Sequence, residues 1–172
     1  VDLADTPMAK ALNQARVAML LRHAKPTDMV VDIGIGAGTF IETVDKGRVY
    51  GYDVNPHAIA WLKERKLFFN PYDETTFDVA CFWDSLEHIA YPTALLENVR
   101  SVVLVSLPIF RDAWHARTSK HYKPNEHVWY FTDEGIRWFM GLHHFDCVEA
   151  NAVESHIGRE DVFSYAFKRR EL

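Results

Sequence analysis

The chain has 172 residues, 48% of them apolar and 25% charged, with a formal net charge of −5 at pH 7. That length fits one domain, residues 1–172, which buries roughly two-thirds of the surface its unfolded chain exposes. No apolar run nears the roughly 18 residues of a membrane span, no secretory pattern is present, and the acidic balance gives no general pull toward nucleic acid.

In the N-terminal segment, residues 1–25, Met8, Leu12, Ala15 and Met19 recur at steps of four, three and four, predicting a helix over Pro7–His23 closed by Pro26. Val1 is not a natural start, so a short leader or tag is expected to be missing. A strand at Met29–Ile33 runs into a glycine-rich turn, and a helix follows Gly38. The next strand is Val49–Tyr52. Asn55 as N-cap with Pro56 behind it then starts a helix that reaches Lys66. Strands follow at Leu67–Phe69 and Phe77–Trp83. Between them only Asn70–Thr76 remain, too few for a helix, so that face is expected to be thin or covered by a partner. A helix broken at Pro92 precedes a buried strand over Ser101–Pro108. Thr132 caps a helix that turns Ile136, Phe139 and Met140 inward. Phe145–Ala150 and Val162–Lys168 close the chain as an antiparallel pair. The two cysteines, Cys81 and Cys147, lie in apolar strand patterns and read as reduced core residues of a cytoplasmic protein. Strand–helix alternation of this kind implies a parallel sheet covered by helices on both faces, with ligands at the carboxyl ends of the strands.

The most informative stretch is VVDIGIGAGTF, Val30–Phe40, where Asp32 is followed by Gly34, Gly36 and Gly38. A strand entering a turn without side chains lets a ligand approach bare backbone. The helix that follows offers free N–H groups. The spacing departs from the dinucleotide fingerprint G-x-G-x-x-G, because the third glycine comes one residue early. D-x-G-x-G-x-G instead resembles the first motif of class I S-adenosylmethionine-dependent methyltransferases of the small-molecule type. Two companions agree. Asp53 ends the second strand, where an acid can accept from both hydroxyls of a ribose. FDVACFWDSLEH, Phe77–His88, is similar to the family's fourth motif, and SVVLVSLP and HVWYFT, the latter from His127 to Thr132, resemble its later segments. The resemblance spans about Val30–Phe167. It implies an α/β, Rossmann-like doubly wound fold: a mostly parallel seven-stranded sheet with an antiparallel C-terminal hairpin. It also implies S-adenosylmethionine as cofactor.

On that resemblance, Gly34, Gly36 and Gly38 admit the methionine and sugar portions, Asp32 lies near the methionine ammonium, Asp53 takes the ribose, and Val54 packs on adenine. Asn70 or Asp73 would read the adenine amino group. Trp83 and Asp84 would sit beside the reacting centre, although a core aromatic is an equal reading of Trp83. Histidine is the usual base near neutral pH, and His88 and His127 are the positional candidates for deprotonating an acceptor. A structural role is open for each. No metal is assigned, since His115 and His121 lack ligand spacing with cysteine or carboxylate.

Substrate choice is expected in the 109–130 connection, as a lid. It carries Arg111, Arg117, Lys120 and Lys123, interleaved with Trp114, His115, His121 and Tyr122, against the single acid Asp112 between Arg111 and Lys123. Cations and aromatics over a pocket suit a polar, anionic acceptor, and a solvated charged loop is the plain alternative. Without a broad basic surface, a nucleic-acid acceptor is disfavoured, while a homo-oligomer stays open. The sequence therefore reads as a methyltransferase acting at oxygen or nitrogen of a small polar metabolite. The rivals are a non-catalytic S-adenosylmethionine-binding or assembly subunit of the same fold and, less favoured, an NAD-dependent oxidoreductase.

Overall fold

A computed structural model describes residues 6–44, 47–73 and 75–171. The first five residues of the expected 1–25 segment lie outside these. Six strands form one sheet: β1 (Val30–Ile33), β2 (Val49–Tyr52), β3 (Phe77–Trp83), β4 (Val99–Pro108), β5 (Phe145–Asn151) and β6 (Val162–Arg169). Their order is β2-β1-β3-β4-β6-β5. The first four are mutually parallel, and β6 pairs antiparallel with both β4 and β5. Among the described residues seven α-helices surround them: α1 (Pro7–His23), α2 (Thr39–Thr43), α3 (Pro56–Glu64), α4 (Thr93–Glu97), α5 (Ala113–Thr118), α6 (Asp133–Leu142) and α7 (Val153–His156). This is the doubly wound architecture, with six strands rather than seven.

The missing strand is Leu67–Phe69. It contributes only a parallel bridge between Gly51 and Phe68. The Gly51 N–H donates to the Leu67 carbonyl at 2.9 Å and the Phe69 N–H to the Gly51 carbonyl at 3.0 Å. Pairing stops there because Pro71 has no N–H to give and Asn70 turns the chain, its side-chain oxygen accepting from the Tyr72 N–H at 3.2 Å. The helix-free face beside it is closed by rings, Phe69 packing edge-on against Phe77 at 5.5 Å and tilted against Tyr50 at 6.5 Å.

Helix α1 also corrects the sequence reading. Thr6 caps it and Pro7 opens it, but its buried side chains are Asn13, Arg16, Met19 and Leu20, while Met8 is 52% exposed. The inward face is rotated by about one residue from the apolar stripe because Arg16, not Ala15, reaches the sheet. The 109–130 connection is no open loop either. It holds α5, and its ends are pinched by a parallel bridge from Ile109 to Phe131 and by the Phe110 N–H donating to the Phe131 carbonyl at 2.9 Å.

In a sheet of this order, chain continuity leaves β1 toward β2 on one side, and the next parallel neighbour, β3, lies on the other. The carboxyl end of β1 is therefore the topological switch point, where such folds leave a crevice.

Candidate active site

A cleft of about 270 Å³ opens at that switch point. Its walls come from three strand ends: Ile33, Gly34 and Gly36 after β1, Tyr52, Asp53 and Val54 after β2, and Asp84, Ser85 and His88 after β3, with Tyr72 at the rim. Gly34 and Gly36 both have positive φ, +83° and +54°. At Gly34 a Cβ would stand 2.6 Å from that of Ser85, whose hydroxyl donates to the Ile33 carbonyl. That glycine lets β1 and β3 meet. Among the described residues nothing lies within 4 Å of a Cβ at Gly36, so its backbone is bare toward the cleft. The Gly38 position is different: Trp61 fills the space a side chain would need, and Gly38 does not line the cleft.

Asp53 is held ready by backbone donors. One carboxylate oxygen accepts from the Gly36 N–H at 3.2 Å, the other from Asn55 at 2.8 Å. Val54 is 81% exposed at the same rim. Tyr72 stacks edge-on to Tyr52 at 5.6 Å and gives the rim an aromatic face. Asn70 and Asp73 are hydrogen-bonded to each other at 2.8 Å and neither lines the cleft.

Asp32 is buried on β1 and one of its oxygens has no partner among the described residues. Burial is the main cause that pushes its carboxyl up to about 7; Arg16 opposes this and Asp53 adds to it. Trp83 is a core residue beneath the cleft, edge-on to Phe40 at 5.3 Å and covered by the Arg16 guanidinium at 5.2 Å. The core reading of Trp83 therefore prevails over a place beside the reacting centre. Asp84 lines the cleft, but its carboxylate is committed to two arginines. Arg16 donates to it at 2.7 Å, and Arg159 donates to both oxygens at 2.8 Å. Burial alone would raise this carboxyl, but the hydrogen bonds and charges of Arg159 and Arg16 hold it below its ordinary value. Glu154, 1% exposed, completes the cluster by accepting from the same two arginines. Arg16, Glu154 and Arg159 escaped the sequence reading. The only available signal was a cation beside the apolar stripe of α1.

His88 and His127 do come together, their rings edge-on at 4.6 Å. His88 stands exposed in the cleft wall and His127 is buried behind it. Burial first, then His88 and Lys123, lower the basicity of His127. The segment carrying His127 is pinned by the Glu87 carbonyl, which accepts from Val128 at 2.9 Å and Trp129 at 3.2 Å. Glu87 itself is 2% exposed. Ligand atoms of Glu87, His88 and His127 lie within 4.8 Å of one another. The fold thus joins positions 40 residues apart in sequence.

The expected substrate residues sit elsewhere. Arg111 and His115 border a larger recess of about 790 Å³ beyond the ends of β4 and β6, with Asp133, Glu134, Glu160 and Asp161 opposite. The His115 ring accepts from the Arg111 N–H at 3.1 Å and faces the Asp161 carboxylate at 3.2 Å. Trp114 is 76% exposed, and Arg117 and Tyr122 lie on the outer surface. None of the five lines the cleft. A run of rings connects the two hollows, from His127 through Tyr130 at 5.9 Å to Phe110 at 5.9 Å and His115 at 5.8 Å.

A family model described as a methyltransferase domain matches residues 7–150. The chain belongs to that family, the class I S-adenosylmethionine-dependent methyltransferases. The tRNA (guanine(37)-N(1))-methyltransferase Trm5b of Methanocaldococcus jannaschii is 27% identical over 98% of this chain. The chain spans 48% of that relative's length. Among solved structures, magnesium protoporphyrin IX methyltransferase of Synechocystis with bound SAH aligns over 99% of this chain and 89% of its own. Its TM-score is 0.68 at 15% identity. A methyltransferase of Haloferax volcanii, solved in complex with the Trm112 methyltransferase activator, aligns over 99% and 97%, with a TM-score of 0.69 at 14% identity. At these identities the likeness is one of fold. The methyltransferase family's cofactor is S-adenosylmethionine. The cleft fits it on three counts: bare backbone at Gly36, a carboxylate at the tip of β2, and an apolar and aromatic rim. No helix among the described residues is long and apolar enough to cross a membrane.

Proposed function

We propose that this domain transfers a methyl group from S-adenosylmethionine to an oxygen or nitrogen of a small polar metabolite. The observation that carries the reading is Asp53, fixed by two backbone N–H groups at the mouth of the switch-point cleft. When bound, the cofactor supplies a methyl group already activated on a positive sulfur. The protein's work is therefore to position the partners and exclude water. Asp53 takes the ribose hydroxyls, Gly34 and Gly36 admit the chain of the methionine, and Val54 and Tyr72 hold adenine between them. Asp32, with its unpartnered buried oxygen, is the group we assign to the ammonium. Asp84 acts through its arginines, fixing the β3 turn rather than touching the cofactor first-hand.

The acceptor enters against His88, with His127 behind it. These are the groups we assign to handling its proton. An anionic acceptor is no longer favoured, because Lys120 is paired with Glu160 at 3.3 Å and Lys123 with Glu126 at 3.2 Å, and acids line the neighbouring recess. Calorimetric titration of S-adenosylmethionine tests the reading. Asp53→Ala is expected to weaken binding more than about tenfold, the loss of hydrogen bonds to a charged acceptor being worth roughly 1.5–3 kcal/mol. Unchanged affinity would remove Asp53 from the site.

A further inference from the structure

Three groups that can offer lone pairs converge in the acceptor wall. Glu87, on a 3-10 turn after β3, is buried, and its Oε2 has no hydrogen-bond partner among the described residues. The arginines nearby are spent: Arg16 and Arg159 both donate to Asp84 and Glu154. Lys123, near His127, pairs with Glu126 at 3.2 Å. A buried carboxyl oxygen left without a partner is costly enough to require an explanation.

His88 supplies the second donor with its tautomer already set. Its Nδ1 lies 2.9 Å from the Glu126 carbonyl, an acceptor only, so Nδ1 carries the hydrogen and Nε2 presents its lone pair. A ring oriented by a carbonyl on its far nitrogen is the usual support of a metal-binding histidine. His127 is the third donor. Its ring makes no hydrogen bond among the described residues, and its backbone is fixed to Glu87 through Val128 and Trp129. The ligand atoms lie within 4.8 Å of one another. Donors about 2.1 Å from one ion stand roughly 3–3.5 Å apart, so small side-chain rotations close the set.

We propose that Glu87, His88 and His127 form a site for one divalent first-row transition cation, such as Mn²⁺, Fe²⁺, Co²⁺ or Zn²⁺, set in the wall of the cleft. Two imidazoles and one carboxylate suit such ions better than Mg²⁺ or Ca²⁺, which prefer oxygen ligands throughout. Three protein ligands leave coordination positions open, and His88 puts them on the cleft side. Resting on the methyl-transfer reading, but with the two histidines holding the cation rather than taking the proton themselves, the cation's role is to hold the acceptor's hydroxyl oxygen and ease its ionisation. The O–H bond breaks and the proton leaves to solvent. The oxygen forms a bond to the methyl carbon as the carbon–sulfur bond breaks, its electron pair passing to sulfur. The cation is unchanged, and the acceptor class narrows to hydroxyl compounds.

Chelator-stripped, tag-free protein titrated calorimetrically with Mn²⁺, Co²⁺ and Zn²⁺ tests the site without any acceptor. One equivalent is expected to bind, with Co²⁺ giving visible d–d absorption. Glu87→Gln and His88→Asn are each expected to weaken binding at least about tenfold, since even losing an outer partner of a ligand costs that much. Thermal melts confirm that each variant is folded, and exposed His88 gives the second reading should Glu87→Gln not fold. Failure of the parent protein to bind any of the three ions, or equal affinity in a folded variant, would overturn the site. S-adenosylmethionine titrated into the same stripped protein separates the two readings. Metal binding without cofactor binding would defeat methyl transfer and keep the site. Cofactor binding without metal binding would do the reverse.

Discussion

Asp32 shows how one residue can couple the sheet to pH. It sits in β1, where its neighbours across the ladders are Gly51 and Cys81. No N–H among the described residues reaches its Oδ1. Burial raises its carboxyl to about 7 in the folded chain, against an ordinary value of 3.8. Between those values the folded protein keeps a proton that the unfolded chain releases, so stability falls as pH rises from about 4 to about 7 and levels off above it. The full span corresponds to up to about 4 kcal/mol, reduced by any relaxation around the charge. Urea unfolding across pH 4.5–8 should show this decline, and Asp32→Asn should flatten it. Glu87, raised to about 8 mainly by its own burial, has the same sign, so the difference between parent and variant isolates Asp32. An undiminished slope in Asp32→Asn would mean that Asp32 titrates elsewhere or is already ionised when folded.

At the scale of elements, α1 is fastened to the site by charge rather than by an apolar stripe. Arg16 donates to Asp84 at the tip of β3, to Ser106 on β4 and to Glu154 on α7, and it lies 8% exposed. Removing one partner of a buried cluster leaves the others uncompensated, which costs about 3–5 kcal/mol. Arg16→Met keeps the stem's packing over Trp83 and removes the charge, so chemical denaturation should report a loss of that order. A loss below about 1 kcal/mol would show that water or Arg159 takes over. This cluster also marks the limit of what the sequence discloses. The strand–turn–helix units were legible, because each is written in contiguous residues: an apolar run, its glycines or cap, then a periodic face. Asp53, Gly36 and the buried face of α6 were legible for the same reason. Arg16 is 138 residues from Glu154, and His127 is 39 residues from His88 in sequence. Pairings at that range depend on the order of strands, which no local pattern encodes. The substrate residues misled in the same way. Basic and aromatic types alternate along 109–130, but the acids that meet His115 and Lys120 are Asp161 and Glu160, 40 or more positions further along the sequence.

For the molecule as a whole, the question is whether the acceptor is small or a nucleic acid, given a tRNA methyltransferase relative of about twice the length. Affinity for RNA begins with lysine and arginine displacing counterions from phosphates. This chain carries a net charge of −5, and several of its surface arginines are paired with carboxylates. Arg22 meets Glu149 at 2.6 Å, Arg100 meets Asp78 at 3.1 Å, Arg137 meets Asp133 at 2.9 Å and Arg170 meets Asp146 at 2.8 Å. In the loop that borders the recess, Lys120 and Lys123 are paired likewise, with Glu160 and Glu126. Any phosphate would have to displace an existing carboxylate at each of these positions, so the counterion term that drives RNA binding is small. Total tRNA mixed with the domain and methyl-labelled S-adenosylmethionine should therefore take up no label. Binding of tRNA should be weak already at low salt, with a shallow dependence on salt concentration. Label in the RNA fraction, together with affinity that falls steeply between 50 and 200 mM salt, would reverse the assignment and place the acceptor's phosphates on this surface.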